Sequence, residues 1–288
     1  MDETTTVLEA NDDRLIQFGC ARKTAVERRI PFARRFDTPP RVVITPFWEE
    51  ARREVGHAET IGSVTEDEFA LFSNNAASNY FVSWIAVGYL RGGRASHNVH
   101  FAQVGDLVLE MGRTPKTTVS VTQRLLFPFA YPPNVQVSPF WEGQRSGVGH
   151  AETVGRVHNA AGEERAFDVW SDNAAANYFV SWLAAGTRNP DLRPHHGDRW
   201  VISDFPVGDM LFKAGVYQVP SGGVRNLSWE SDFAIPPIVV VTPFWRGQHR
   251  GVGHAETLSR VEPHFLLLAG DNGAPNYFVA VLAVGPRR

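Results

Sequence analysis

Apolar positions along the chain fall into short runs separated by Gly, Pro, Asn and Asp, and the runs recur in the same order three times. RVVITPFW, VQVSPFW and IVVVTPFW, each introduced by Pro-Pro, are β-branched and aromatic and predict a strand. Pro46, Pro139 and Pro243 lie inside these runs and predict a bulge or an early strand end. A second strand alternates with period two, so that His150, Glu152, Val154 and Arg156 share one face and Ala151, Thr153, Gly155 and Val157 the other. A third begins near Phe69, Phe167 and Phe265. The fourth, NYFVSWIAVG and its equivalents, is apolar on both faces (Tyr80, Val82 and Trp84 against Phe81 and Ile85) and predicts a central, buried strand. Upstream of each Pro-Pro stand an aromatic strand (IPFARRF, RLLFPF, LSWESDF) and a less alike opening strand (LIQFG, FAQVGD, RWVISDFPVGD). Six short strands per copy without an amphipathic helix predict an all-β, antiparallel sandwich.

The recurrence, marked by Trp48, Trp141 and Trp245, is too long for a solenoid unit and fits a small domain used in triplicate. The modules read as 1–90, 91–188 and 189–288. Polar linkers join them at YLRGGRASHNVH (89–100) and TRNPDLRPHHGDR (187–199), whose His97, His100, His195 and His196 lack counterparts in the first module and read as solvated.

Composition narrows the function classes. With 288 residues, 43% of them hydrophobic, the chain can build three cores of roughly 90 residues each, small enough that they should lean on one another. A net charge of −3 gives no reason to expect nucleic acid or an anionic membrane as partner. The clusters Arg28, Arg29, Arg34, Arg35 and Arg52, Arg53 are flanked by Glu27, Asp37, Glu50 and Glu54 and read as a solvated face. Cys20 is the single cysteine, so an intrachain disulfide and a thiolate cluster are both excluded. MDETTTVLEANDDR has no apolar h-region, and no run approaches the roughly 18 apolar residues of a membrane span. The expected location is the cytoplasm, with release by lysis or a non-classical route leaving no mark in sequence.

The order of aromatic strand, Pro-Pro-x-Val-x-Val-Ser/Thr, loop, alternating strand, polar turn and Phe-Val-Ser-Trp-Ile-Ala-x-Gly resembles the H-type lectin domain. The matching pieces are Phe36 to Ile44, Val64 to Phe69 and Phe81 to Gly88, repeated around and after Pro132 and Pro236, so the resemblance covers nearly the whole chain in three copies. It implies six-stranded antiparallel sandwiches grouped as an intramolecular pseudo-trimer, with sites for glycans of the N-acetylgalactosamine type at the clefts between modules. The family's site uses an Arg on the second strand and a Trp-His loop. This chain has His57, His150 or His254 near the Arg position, and Asn75, Asn173 or Asn272 with Asn79, Asn177 or Asn276 and a following Tyr80, Tyr178 or Tyr277 in the loop. Amides, carboxylates and aromatic faces can still bind sugar hydroxyls and C–H surfaces.

Gly-His-Ala-Glu-Thr is identical in all copies. His57, His150 and His254 could meet on a pseudo-axis, backed by Glu59, Glu152 and Glu256, as ligands for a divalent metal such as zinc. The alternative is that each His pairs with its neighbouring Glu or caps the Trp loop. Small residues beside them signal close approach by something else. Trp48, Trp141 and Trp245 read as core plugs or as stacking platforms for sugar rings, the balance favouring the core, and the paired Asn read equally as sugar-binding amides or as turn formers. In the third copy Ala280-Val281 replaces Ser83-Trp84 and Ser181-Trp182, Gly273 and Pro275 reshape the turn, and Glu54 stands against Gly147 and Gly251 in the Trp loops, so the sites should be unequal. The expectation is a carbohydrate-binding, lectin-like protein without a cofactor. The alternatives are a metal-dependent enzyme with one of the three glutamates as base, and a structural or partner-binding module.

Overall fold

The computed structural model describes residues 3–10, 13–50, 56–90, 99–143, 149–158, 165–229, 233–247 and 253–288. Arg52, Arg53, Glu54, His97, Gly147 and Gly251, singled out above, lie outside the described residues. These form 22 strands and no helix. The first module carries β1 (Thr4–Ala10), β2 (Arg14–Arg22), β3 (Glu27–Pro31), β4 (Arg41–Trp48), β5 (Thr60–Val64), β6 (Glu68–Phe72) and β7 (Tyr80–Tyr89). The second carries β8 (Val99–Val104), β9 (Leu107–Pro115), β10 (Ser120–Arg124), β11 (Asn134–Trp141), β12 (Thr153–His158), β13 (Ala166–Trp170) and β14 (Tyr178–Gly186). The third carries β15 (His195–His196), β16 (Trp200–Val207), β17 (Met210–Gln218), β18 (Gly223–Ser228), β19 (Ile238–Trp245), β20 (Thr257–Glu262), β21 (Phe265–Gly270) and β22 (Tyr277–Pro286).

The modules do not keep their strands to themselves. Three mixed sheets run β1-β2-β7-β4-β20-β21-β18, β3-β6-β5-β11-β14-β9-β8 and β10-β13-β12-β19-β22-β17-β16-β15. Each joins four or five strands of one module to three of another through one short parallel contact: Phe47 with Leu258, Phe140 with Ile61, Phe244 with Val154. All other pairings are antiparallel. The second module extends its sheet with strands of the first, the third with strands of the second, and the first with strands of the third, which closes a ring.

Several expectations change in detail. The opening strand is a hairpin (β1-β2, β8-β9, β16-β17), so the count per module is seven, seven and eight, not six. The aromatic strand before Pro-Pro ends earlier, at Pro31, Arg124 and Ser228. Phe36, Phe129 and Phe233 lie in the following loops and plug the cores. Pro46 interrupts nothing: β4 runs to Trp48 in unbroken register with β7, and its parallel partner on the other side meets it only at Phe47, beyond the proline. The second strand begins at Thr153, not at His150, and a bulge between Val154 and Arg156 puts them on opposite faces, Val154 buried and Arg156 exposed. His195 and His196 belong to β15, with exposed side chains. The Arg28–Arg35 cluster is solvated and paired with Glu3, Glu68, Glu9 and Asp67.

β7, buried along its whole length, lies between β2 and β4 as its two apolar faces require. One face carries Tyr80, Val82 and Trp84 into the first module's core. The other carries Ile85 and Val87 into a shared core, where Ile16, Phe18 and Val43 meet Leu109, Met111 and Leu183 of the second module and Phe212, Val240 and Leu282 of the third. Where the third copy lacks the tryptophan, Val281 shares its core with the loop residue Trp229, which is 1% exposed.

Candidate functional site

The Gly-His-Ala-Glu-Thr segments of the three modules meet around the ring's centre. They line a small cavity of about 40 Å³ together with Pro46, Pro139 and Pro243. Each segment latches onto the next module: the backbone N–H groups of His57, His150 and His254 donate to Thr257 Oγ1 (2.6 Å), Thr60 Oγ1 (2.8 Å) and Thr153 Oγ1 (2.9 Å). The glycine is needed for this approach. A Cβ on Gly56, Gly149 or Gly253 would fall onto the backbone carbonyl of Ala255, Ala58 or Ala151 of the neighbouring module, within 2.5, 2.5 and 2.7 Å of its carbon. A second ring of hydroxyls repeats the device one strand deeper, with the N–H groups of Ile44, Val137 and Val241 donating to Ser138, Thr242 and Thr45.

The imidazoles point into their own modules. His57 Nδ1 lies 3.2 Å from Asn75 Oδ1, His150 Nδ1 2.9 Å from Asn173 Oδ1 and His254 Nδ1 2.6 Å from Asn272 Oδ1. Each Asn spends its Nδ2 donor on the carbonyl of Ala58, Ala151 or Ala255, which leaves Oδ1 as acceptor and puts the proton on Nδ1. Desolvation holds His150 and His254 below the ordinary imidazole range, against the opposing effect of the hydrogen bond each donates to its Asn. The ring of each His packs on its Trp, with centroids 4.6, 4.5 and 4.5 Å apart, and each Trp in turn meets Tyr80, Tyr178 or Tyr277 at 4.9 Å.

The expected His-Glu pairing does not form, because the glutamates face the other way. Glu59, Glu152 and Glu256 are 2, 3 and 2% exposed. They accept from Tyr80 Oη (2.8 Å), Tyr178 Oη (2.5 Å) and Tyr277 Oη (2.6 Å). Ser73 and Ser171 also donate to the first two carboxylates, and the buried ammonium groups of Lys23 and Lys116 stand 3.4 and 3.8 Å away. The third copy reaches the same balance with different residues: Val219 follows β17 where Lys23 and Lys116 follow β2 and β9, Gly270 replaces the serine, and Arg225 of β18 fills the vacated space and pairs with Glu256. Burial outweighs these cations and raises all three glutamates, Glu256 to about 7.

The three Gly-His-Ala-Glu-Thr segments converge, and their histidines and glutamates turn to different partners. Among the described residues no group of three or more His, Cys, Asp or Glu is placed to hold a metal ion, so the His57/His150/His254 ligand set is not formed, and each Nδ1 bonds an asparagine of its own module. Trp48, Trp141 and Trp245 are half-buried, not core plugs, a role filled by the fully buried Trp84 and Trp182. Trp48 and Trp141 donate Nε1–H to Asn79 and Asn177 (3.1 Å each). Those asparagines and Asn276 are exposed and also clamp the carbonyls of Glu49, Glu142 and Arg246. Asn75, Asn173 and Asn272 are half-buried, and the tyrosines are wholly buried.

Sequence reasoning missed Lys23, Lys116 and Arg225, which balance the buried carboxylates, and the cleft between the second and third modules. That cleft, of about 1050 Å³, is lined by Val154, Arg156, Val216, Phe244, Arg246 and Phe278 with the 193–201 segment as its outer wall. Only the Arg-Pro-His-rich composition of 187–199 pointed toward it. No described helix is long and apolar enough to cross a membrane. No family model, curated protein or solved structure matches this chain.

Proposed function

We propose that this chain is a glycan-binding, lectin-like protein: three β-sandwich modules closed about a pseudo-threefold axis, in the manner of an H-type lectin trimer joined into one chain, with a shallow site at each seam. The observation that supports the reading is a half-exposed indole at every seam (Trp48, Trp141, Trp245), held by a histidine and a tyrosine ring and flanked by an exposed asparagine amide (Asn79, Asn177, Asn276). A pre-ordered indole face packs against the C–H surface of a pyranose, and a neighbouring amide pairs with its hydroxyls. Single sites of this kind bind at about millimolar Kd. Three on one rigid chain gain avidity when several glycans of one surface engage together. The sites are unequal, because Glu49 and Glu142 beside the first two indoles become Arg246 beside the third.

Fluorescently labelled protein on a glycan array tests this. Selective retention that is lost in the Trp48→Ala/Trp141→Ala/Trp245→Ala variant is the expected result, and no retention of any glycan by folded wild type refutes it. One observation favours a second reading as a structural or partner-binding scaffold: Asn75, His57, Glu59 and Tyr80 already bond one another or the backbone, as do their equivalents. A blank array would select it.

A further inference from the structure

The cleft between the second and third modules differs in its lining from the equivalent positions of the other two seams. In the second module Arg113 of β9 lies over the Phe140 and Phe179 rings, 4.6 and 4.9 Å from their centroids, and Glu142 lies close enough to favour its charge. In the first, Arg22 of β2 lies over Phe81 at 5.2 Å. By strand register the third module has Val216 where Arg113 stands, since Val216 pairs with Ala280 as Arg113 pairs with Ser181. It has Gln218 where Arg22 stands, since Gln218 pairs with Phe278 as Arg22 pairs with Phe81. The guanidiniums at these two strand positions are gone, only Arg246 reaches over Phe278 from the Trp loop, and Phe244 and Phe278 floor a cleft of about 1050 Å³.

Its charge is changed as well. Arg246 replaces the glutamates Glu49 and Glu142, and lies 4.8 Å over Phe278 at the rim. Arg156 of β12 stands where the first module has Ser63. The linker wall adds Arg193 and Arg199, with Asp198 the one acidic side chain among the lining residues. An apolar floor of two phenylalanines and Val154, Val216 and Ala280 under a rim of four arginines is complementary to a molecule with an apolar body and an anionic head.

We propose that this cleft is a binding site for one amphipathic organic anion, a carboxylate or sulfate on an aliphatic or aromatic body, which adjoins the third indole through Arg246 but does not rest on the glycan reading. The cleft volume matches a ligand of roughly drug or fatty-acid size.

Isothermal titration of the full chain with monomeric dodecanoate tests it, beside dodecanol, which lacks the charge, and glucuronate, which lacks the apolar body. The expected result is one dodecanoate per chain, with both controls at least tenfold weaker. Val216→Arg restores the covering guanidinium that the second module already accommodates at Arg113, and should weaken dodecanoate at least tenfold with an unchanged melting temperature. Arg246→Glu, at an exposed position, should weaken it about tenfold without touching the floor. Dodecanol binding as well as dodecanoate, a stoichiometry other than one, or affinity within twofold of wild type in either variant overturns the proposal.

Discussion

The glycine of each Gly-His-Ala-Glu-Thr segment admits a sharp test, because its side of the seam has a backbone carbonyl and not a movable side chain. In Gly149→Ala the new methyl would lie 2.5 Å from the Ala58 carbonyl carbon, and closer still to its oxygen. Relief requires the two modules to part by about 1 Å, an overpacking that costs about 1 to 3 kcal/mol. Parting also stretches the 2.8 Å bond from His150 N–H to Thr60 Oγ1, worth about 1 kcal/mol. Alanine's stiffer unfolded chain returns about 0.5 kcal/mol. The net expectation is a loss of about 1.5 to 3.5 kcal/mol, read as a fall in Tm of about 3 to 6 °C for a chain of this length. Thr60→Val breaks the same bond without the clash and should cost about 1 kcal/mol or slightly more. Because the two changes share one hydrogen bond, the double variant should fall short of the sum by about 1 kcal/mol in urea denaturation. A Gly149→Ala protein within 0.5 kcal/mol of wild type, or a strictly additive pair, would refute the latch.

The buried carboxylates give two more tests. Lys116→Met leaves Glu152 without its cation and should cost about 3 kcal/mol at pH 8 in urea denaturation. Lys116→Val with Ser171→Gly and Val121→Arg, which transplants the third module's solution by register, should recover at least half of that. Glu256, raised by burial to about 7 from an ordinary 4.5, contributes stability that is intact below pH 4.5 and lost as pH rises through 7. Glu256→Gln should therefore flatten the decline between pH 5 and 7.5 by up to about 3 kcal/mol. His150 and His254, depressed by desolvation, work in the opposite sense, losing stability as pH falls, and are unchanged in that variant. Plasma mass spectrometry of wild type and His150→Ala should find no stoichiometric metal that the substitution removes; a histidine-dependent metal would reopen the on-axis site.

What could be read from the sequence is what local chemistry encodes. The triplicate repeat, the strand after each Pro-Pro and the doubly buried β7 follow from side-chain type and period. The sharing of strands between modules was hidden, because the pairing of Phe47 with Leu258 joins segments about 210 residues apart and leaves no local period. The Gly-His-Ala-Glu-Thr motif illustrates both halves. Its small residues announced a close approach, and a close approach is what Gly56, Gly149 and Gly253 make, but onto a neighbouring backbone and not onto a ligand. Its histidine and glutamate suggested a shared face, yet these residues precede the strand, so period-two logic did not apply and each turns to a separate partner. Lys23, Lys116 and Arg225 escaped notice since an isolated cation in a polar stretch reads as solvated until its carboxylate is seen.

The closed ring of borrowed strands also sets an order of events during synthesis. The β4 edge emerges from the ribosome early, and its partner β20 arrives about 210 residues later. At about 5 to 20 residues per second that edge waits for about 10 to 40 seconds with unpaired backbone groups. A chain halted after two modules would carry two complementary sticky ends, the bare β4 and the unclaimed β12, related head to tail and not by a twofold. Two-module chains of this kind would seek each other's edges, so the third module is what satisfies both ends within one molecule.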